Sequence, residues 1–226
     1  MIDYHVISTG SEGNAVIVNK SILIDCGVSF RALAPYVNDL KLVLLTHIHG
    51  DHFRPTTLKR LSEERPLLRF GAGRWLTGPL LIAGIMSRQI DVLQFDCVYD
   101  YGPCSVIMFP LSHDVPNCGY KIHFPAGKMI YATDTNSMNG IEARNYDLYM
   151  VEANYGSEEI RKRIQDKLAA GEYVYEFRVM KTHMSQEACN DWVYENAGPR
   201  SEILYLHGHK EEHKENDDRE AEGSEG

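Results

Sequence analysis

Four consecutive apolar residues, Leu42–Leu45 (LVLL), deliver the chain into Thr46-His47-Ile48-His49-Gly50-Asp51-His52. In random order, a chain with this many histidines and aspartates would contain H-x-H-x-D-H about once in a thousand cases. Three imidazoles and a carboxylate in six residues compete for the same water, and the imidazoles repel one another when protonated. A cation resolves the conflict by taking their lone pairs. The apolar run reads as a buried strand, so the loop that follows it has a rigid support. His47, His49, Asp51 and His52 are therefore candidate metal ligands. One turn cannot close four ligands on one ion and leave a coordination position free, so partners from elsewhere in the chain are expected.

The remaining composition narrows the setting. The 226 residues carry a formal charge of -9. The segment 210–226 (KEEHKENDDREAEGSEG) holds -5 of it and has no aromatic or branched apolar residue, so it is expected to be a disordered acidic tail beyond a single domain over 1–209. The mildly acidic body argues against a broad nucleic-acid groove and leaves room only for a local basic patch. Five widely spaced cysteines without a C-x-x-C pair suit reduced thiols in a cytoplasmic protein. No apolar run nears the roughly 18 residues of a membrane span, and the start of the chain lacks a signal-peptide pattern. No membrane partner is expected; a homodimer is compatible with the sequence.

Strands are expected at Tyr4–Ser8, Ala15–Val18, Ser21–Asp25, Leu42–Leu45, Ser105–Pro110, Tyr120–Phe124, Lys128–Ala132, Leu148–Val151 and Ile203–Leu206. Helices are expected at Leu33–Leu40, Thr57–Glu64, Ser185–Glu195 and Ser157–Ala170. The last has Ser157 as N-cap, with Ile160, Ile164 and Leu168 on one face and Gly171 at its end. The pattern is that of a layered α/β domain with buried sheets. Three further polar residues stand just past apolar runs: His113 in MFPLSHD, Asp134 in MIYATDT and His207 in ILYLHGH.

These motifs, with STGSEGN, DCG, LSHD followed by Gly119-Tyr120, VEANY and THMS, resemble the metallo-β-lactamase-fold hydrolases. The likeness is closest to the bacterial YycJ/WalJ group, near the tRNase Z and RNase J types, and runs from about Ser8 to His207. It implies an αββα four-layer sandwich with two divalent cations between the sheets. It implies His47, His49 and His113 on one ion, Asp51, His52 and His207 on the other, and Asp134 bridging. His209 is the alternative to His207. Nitrogen and carboxylate donors suit Zn²⁺, with Mn²⁺ or Fe²⁺ also fitting. Phe53-Arg54-Pro55 follows the motif where glyoxalase II and lactonase relatives often have Gly-Gly, and no long β-CASP insertion is present.

The implied chemistry is hydrolysis by a metal-activated water, with Asp51 orienting it or accepting its proton. His183, in THMS, is the candidate proton donor to a leaving group. Thr135 and Asn154 are candidate supports for the ligands, and Asp114 either orients His113 or is a solvated acid. Arg54, Lys59, Arg60, Arg178 and Lys181 could line a phosphate-facing rim. The expected substrate is a phosphodiester: a nucleic-acid end or a small or cyclic nucleotide. Thioester, lactone or other carbonyl hydrolysis, and a metal-binding regulatory module without turnover, are the alternatives.

Overall fold

The computed structural model describes residues 1–208. The tail 210–226 and His209 lie outside the described residues. Twelve strands form two six-stranded sheets. The first contains β1 (Tyr4–Ser8), β2 (Ala15–Val18), β3 (Ile22–Ile24), β4 (Leu42–Leu45), β5 (Arg69–Gly73) and β6 (Ile90–Leu93), in that order. The second contains β7 (Val98–Asp100), β8 (Ser105–Leu111), β9 (Asn117–Phe124), β10 (Gly127–Ala132), β11 (Leu148–Glu152) and β12 (Glu202–Leu206), again in sequence order. Strands β3 to β6 are parallel, as are β10 to β12, and the early strands of each sheet pair antiparallel.

The two-residue period of a strand divides each apolar run between two cores. In β4, Leu42 and Leu44 meet Val106, Tyr120 and Met150 of the second sheet. Val43 and Leu45 point the other way, onto Leu58 and Leu61 of α2 (Pro55–Glu64) and Leu80 of α3 (Thr77–Ile82). On the far side, Ile130, Tyr149 and Val151 pack under Cys189, Trp192 and Val193 of α6 (Gln186–Asn196). Helix, sheet, sheet and helix layers result, in a single domain. All four residues of β4 are buried, so replacing Leu44 with Ala would cost about 2–5 kcal/mol.

The differences from expectation have local causes. The helix expected at Leu33–Leu40 is instead α1 (Phe30–Leu33), followed by three-residue turns closed by Tyr36 N–H to Leu33 O and Leu40 N–H to Val37 O. Pro35 has no N–H to continue an α-helix. α4 spans Ser157–Ala170 and ends at left-handed Gly171, but Gly156 is its N-cap; the Ser157 hydroxyl donates to Glu187 on α6 instead. Ile160 and Ile164 are buried, whereas Leu168 is exposed. β5 escapes sequence reading because Phe70-Gly71-Ala72-Gly73 looks too glycine-rich for a strand. The Trp75 indole fills the space a side chain at Gly73 would need. β6 and β7 are short and end their sheets, and α5 (Glu176–Thr182) buries only Glu176 and Thr182.

Candidate metal centre

β4, β8, β10, β11 and β12 all end at the same rim of the sandwich, and the chemistry-bearing side chains follow those ends. The β4 loop is one helical turn, with His52 N–H and Phe53 N–H both bonded to His49 O. A strap from the glycine-rich β1–β2 loop and the segment after β3 clamps it. Asn14 N–H donates to Asp51 O at 2.6 Å, Cys26 N–H to His52 O at 2.8 Å, and Arg54 N–H to Cys26 O at 2.9 Å. Gly27 fits against this loop only because it lacks a side chain: a Cβ there would lie 1.7 Å from Asp51 O.

Six imidazoles form a continuous cluster. His47, His49 and His113 lie pairwise 4.7–5.2 Å apart by ring centre. His47 and His52 are 4.2 Å apart, and His183 stacks on His207 at 5.0 Å. Asp134 sits among them, with Oδ2 3.0 Å from His52 Nε2 and Oδ1 3.8 Å and 3.9 Å from Nε2 of His207 and His113. Asp51 Oδ2 is 3.6 Å from His52 Nε2. The structure thus brings together all seven expected ligands and His183. Donor atoms of His47, His49 and His113 form one group close enough for a single ion, and those of Asp51, His52 and His207 form a second. His183 also falls in a group with Asp134 and His207.

Outer hydrogen bonds select which nitrogen each ring offers. Asp25 is fully buried and receives Thr46 N–H and Thr46 Oγ1–H, both at 2.9 Å, on Oδ1. His47 Nδ1 lies 2.9 Å from that hydroxyl, which accepts its proton and leaves Nε2 free. His52 Nδ1–H donates to Asp25 Oδ2 at 2.8 Å. His113 Nδ1–H donates to Thr182 O at 3.0 Å. Glu152, also fully buried, accepts from His183 Nδ1 at 2.6 Å and faces His207 Nδ1 at 3.5 Å. Asn154 contacts His207, and Thr135 N–H donates to Glu152, so both expected supports lie beside the cluster. Such partners orient imidazoles and raise their basicity toward a cation.

Two nitrogens test whether a cation fits. His113 Nε2 and His207 Nε2 are buried with no hydrogen-bond partner among the described residues. Orphaned buried polar atoms are rare and costly; His207 Nε2 faces Asp134 at 3.8 Å, and His113 Nε2 lies 3.3 Å from Asp114 and 3.9 Å from Asp134. Burial and the surrounding imidazoles push His47 down to about 2, and burial lowers His113, so both present lone pairs at neutral pH. Burial opposes a charge on His52, but Asp134 and Asp25 override it and raise its pKa well above the usual value. Burial likewise opposes the charge on Asp134, which His52 and its neighbours nonetheless hold ionised. The donor set fits two divalent ions.

The backbone supports the same reading. Asp25, Asp134 and His207 all adopt left-handed conformations, with φ of 57°, 55° and 60°. Only a few per cent of non-glycine residues do so, and such strain concentrates at functional sites. Asp25 and Glu152 are the site residues that sequence reasoning missed. Their signal was the one that found Asp134: a carboxylate ending an apolar run, in SILID and LYMVE, costly to bury without partners.

A cleft of about 280 Å³ opens over the cluster, lined by His49, Asp51, His113, Asp114, Asp134 and His183 together with Tyr175, Arg178, Val179 and Thr182. Asp114 Oδ1 is 3.3 Å from Nε2 of both His49 and His113, and its other oxygen holds Arg178 at 2.6 Å. Arg54 N–H is part of the strap, while Lys59 and Arg60 make i,i+4 ion pairs on the exposed face of α2, away from this cleft.

Residues 20–207 match the profile of the Beta-lactamase superfamily domain. The chain belongs to that family. Within this hydrolase superfamily, the chain is 26% identical over 175 residues to the exodeoxyribonuclease YycJ of Bacillus anthracis, covering 71% of this chain and 66% of that protein. It is 25% identical over a 232-residue alignment to the exodeoxyribonuclease WalJ of Streptococcus pneumoniae, covering 91% and 80%. Three solved structures share the fold. YhfI of Bacillus subtilis has a TM-score of 0.70 at 18% identity, covering 92% of this chain and 86% of that one. The short form of human tRNase Z has 0.65 at 16%, covering 92% and 93%. Zn²⁺-bound PqqB of Methylobacterium extorquens has 0.64 at 11%, covering 92% and 89%. No helix of the described residues is long and apolar enough to cross a membrane.

Proposed function

We propose that this β-lactamase-superfamily chain is a binuclear metal-dependent phosphodiesterase acting on nucleic-acid ends or small nucleotides. His47, His49 and His113 would hold one divalent cation and Asp51, His52 and His207 a second, with Asp134 available to both. Zn²⁺ suits this all-nitrogen-and-oxygen set best, and Mn²⁺ or Fe²⁺ also fit. The observation that carries the reading is the pair of orphaned Nε2 atoms on His113 and His207, converging on Asp134 from separate strand ends. Divalent ions held there would make water reactive near neutral pH and would neutralise charge on a phosphoryl oxygen.

The chain's own groups divide the remaining work. Asp51 lines the cleft and accepts the proton of the attacking water. His183 is fixed through Nδ1 on Glu152, which leaves Nε2 to protonate the leaving oxygen. Arg178 stands at the cleft wall, where a phosphate would lie. A basic group and an imidazole acid favour a phosphodiester over a thioester, whose thiolate leaves without protonation. The names of the Bacillus and Streptococcus relatives favour a nuclease. Five unpaired cysteines, four of them buried, fit a reducing cytoplasm.

Bis-p-nitrophenyl phosphate and an acyl thioester, offered side by side to zinc- or manganese-loaded protein, test the proposal. Phosphodiester hydrolysis is expected. Turnover of the thioester alone, or of neither by protein holding two ions, refutes it.

A further inference from the structure

Beside the imidazoles, the cleft is also lined by Tyr175 and by Arg178, Val179 and Thr182 of α5. Tyr173, Tyr175 and Phe177 fall within five residues and all are exposed, by 85%, 43% and 50%. Of the three, Tyr175 lines the cleft. Its ring is held in place: Lys167 of α4 puts its ammonium 3.9 Å from the ring centre and also pairs with Glu176 at 2.7 Å. Three residues on, one turn further along the chain, Arg178 lines the same cleft. Its side chain is 73% exposed, and the Asp114 pair uses only part of a guanidinium with five donors.

The cleft, at about 280 Å³, lies at the small end of ligand sites and admits one residue of substrate rather than a duplex. With an acidic body, affinity cannot come from a long track of phosphate contacts. It must come from a few strong local ones. A rigid aromatic face beside a guanidinium with donors left over from its Asp114 pair supplies two, since bases stack on aromatic side chains whatever their sequence.

We propose that Tyr175 and Arg178 form a substrate clamp, Tyr175 stacking the terminal base of a single strand and Arg178 binding the phosphate attached to it. This rests on the phosphodiesterase reading above and adds the residues that choose a nucleotide end. Asp114 holds Arg178 toward the cluster until a phosphate replaces it. Lys167 pins the ring, so little conformational entropy is lost on stacking.

The test is fluorescence anisotropy with a labelled, hydrolysis-resistant phosphorothioate oligothymidylate and an abasic oligomer of equal length. Wild-type protein should bind the thymidylate about tenfold more tightly than the abasic strand. Tyr175→Ala should erase that difference by weakening the thymidylate alone, and Tyr175→Phe should restore it. Tyr175→Leu, which keeps apolar bulk beside Lys167, carries the same expectation if alanine loosens the helix. Arg178→Gln should weaken both strands about tenfold and lower the slope of log K against log salt by roughly 0.7, one single-strand phosphate contact. For a cleavable oligothymidylate, Tyr175→Ala should raise KM about tenfold at unchanged metal content. Wild-type affinity in both Tyr175→Ala and Tyr175→Leu, or equal losses on both strands, overturns the clamp. Hydrolysis indifferent to Tyr175 overturns the clamp alone. Tyr175-dependent binding without any phosphodiester turnover supports the clamp and refutes the catalytic proposal.

Discussion

The first sheet presents His47, His49, Asp51 and His52 from one helical turn, whereas the second presents His113, Asp134 and His207 from three separate strand ends. The first group is held as a block by the strap through Asn14, Cys26 and Gly27. Left-handed backbone at Asp134 and His207 instead aims two of the second group individually. Each half also has its own fully buried carboxylate. Asp25 serves the first half by fixing His52 directly and His47 through Thr46. Glu152 serves the second by holding His183 and facing His207. The lesson is that one half is fixed as a block, while the other is aimed residue by residue and also brings His183 beside the cluster.

Asp134 belongs to both halves, so Asp134→Asn should have the largest effect. Activity should fall by roughly 10³-fold or more and metal content should drop, read by phosphodiester assay and elemental analysis together. His183→Ala should cut turnover by about 10²–10⁴ with both metal equivalents retained. If a metal equivalent leaves with it, His183 is a ligand and the division of labour in the second half is wrong. Asp25→Asn should weaken cation affinity about 10–100-fold, and enough added metal should restore turnover. Glu152→Gln should weaken affinity similarly, but excess metal should not restore its rate, because His183 loses its anchor. Equal rescue of the two variants would erase the proposed asymmetry.

Acid should act through the first half. His52 in the metal-free protein has a pKa raised above its ordinary value, so it holds a proton that a cation must displace. Cation affinity should therefore fall as pH drops through that raised value. The stability that the protonated His52 gives the metal-free fold has the opposite sense: present at low pH, it is lost as pH rises through the same value. Calorimetric titration across pH would show the first trend and thermal melts of chelated protein the second. The smallest effect belongs to His209: His209→Ala should leave metal content unchanged, whereas His207→Ala should lower it.

The two halves differed equally in how far they could be read from sequence. A hexapeptide of four candidate ligands announces itself, because its local charge conflict has few other resolutions. His113, Asp134 and His207 needed the family resemblance, since a lone polar residue after an apolar run is common. Asp25 and Glu152 also end apolar runs, but that weak signal becomes decisive only once their burial and partners are known. The central strands were legible from apolar runs, two-residue alternation and branched side chains. β5 was not, because its glycines make room for Trp75, a requirement of packing that propensity cannot express. Tyr175 and Arg178 were invisible as a pair until α5 placed both on the cleft wall.

Metal stoichiometry tests the central claim most directly. Elemental analysis of gently purified, undialysed protein should find two divalent equivalents per chain, zinc foremost, and chelated protein should reload to two. A chain that emerges bare and takes up neither zinc nor manganese would contradict the account at its root.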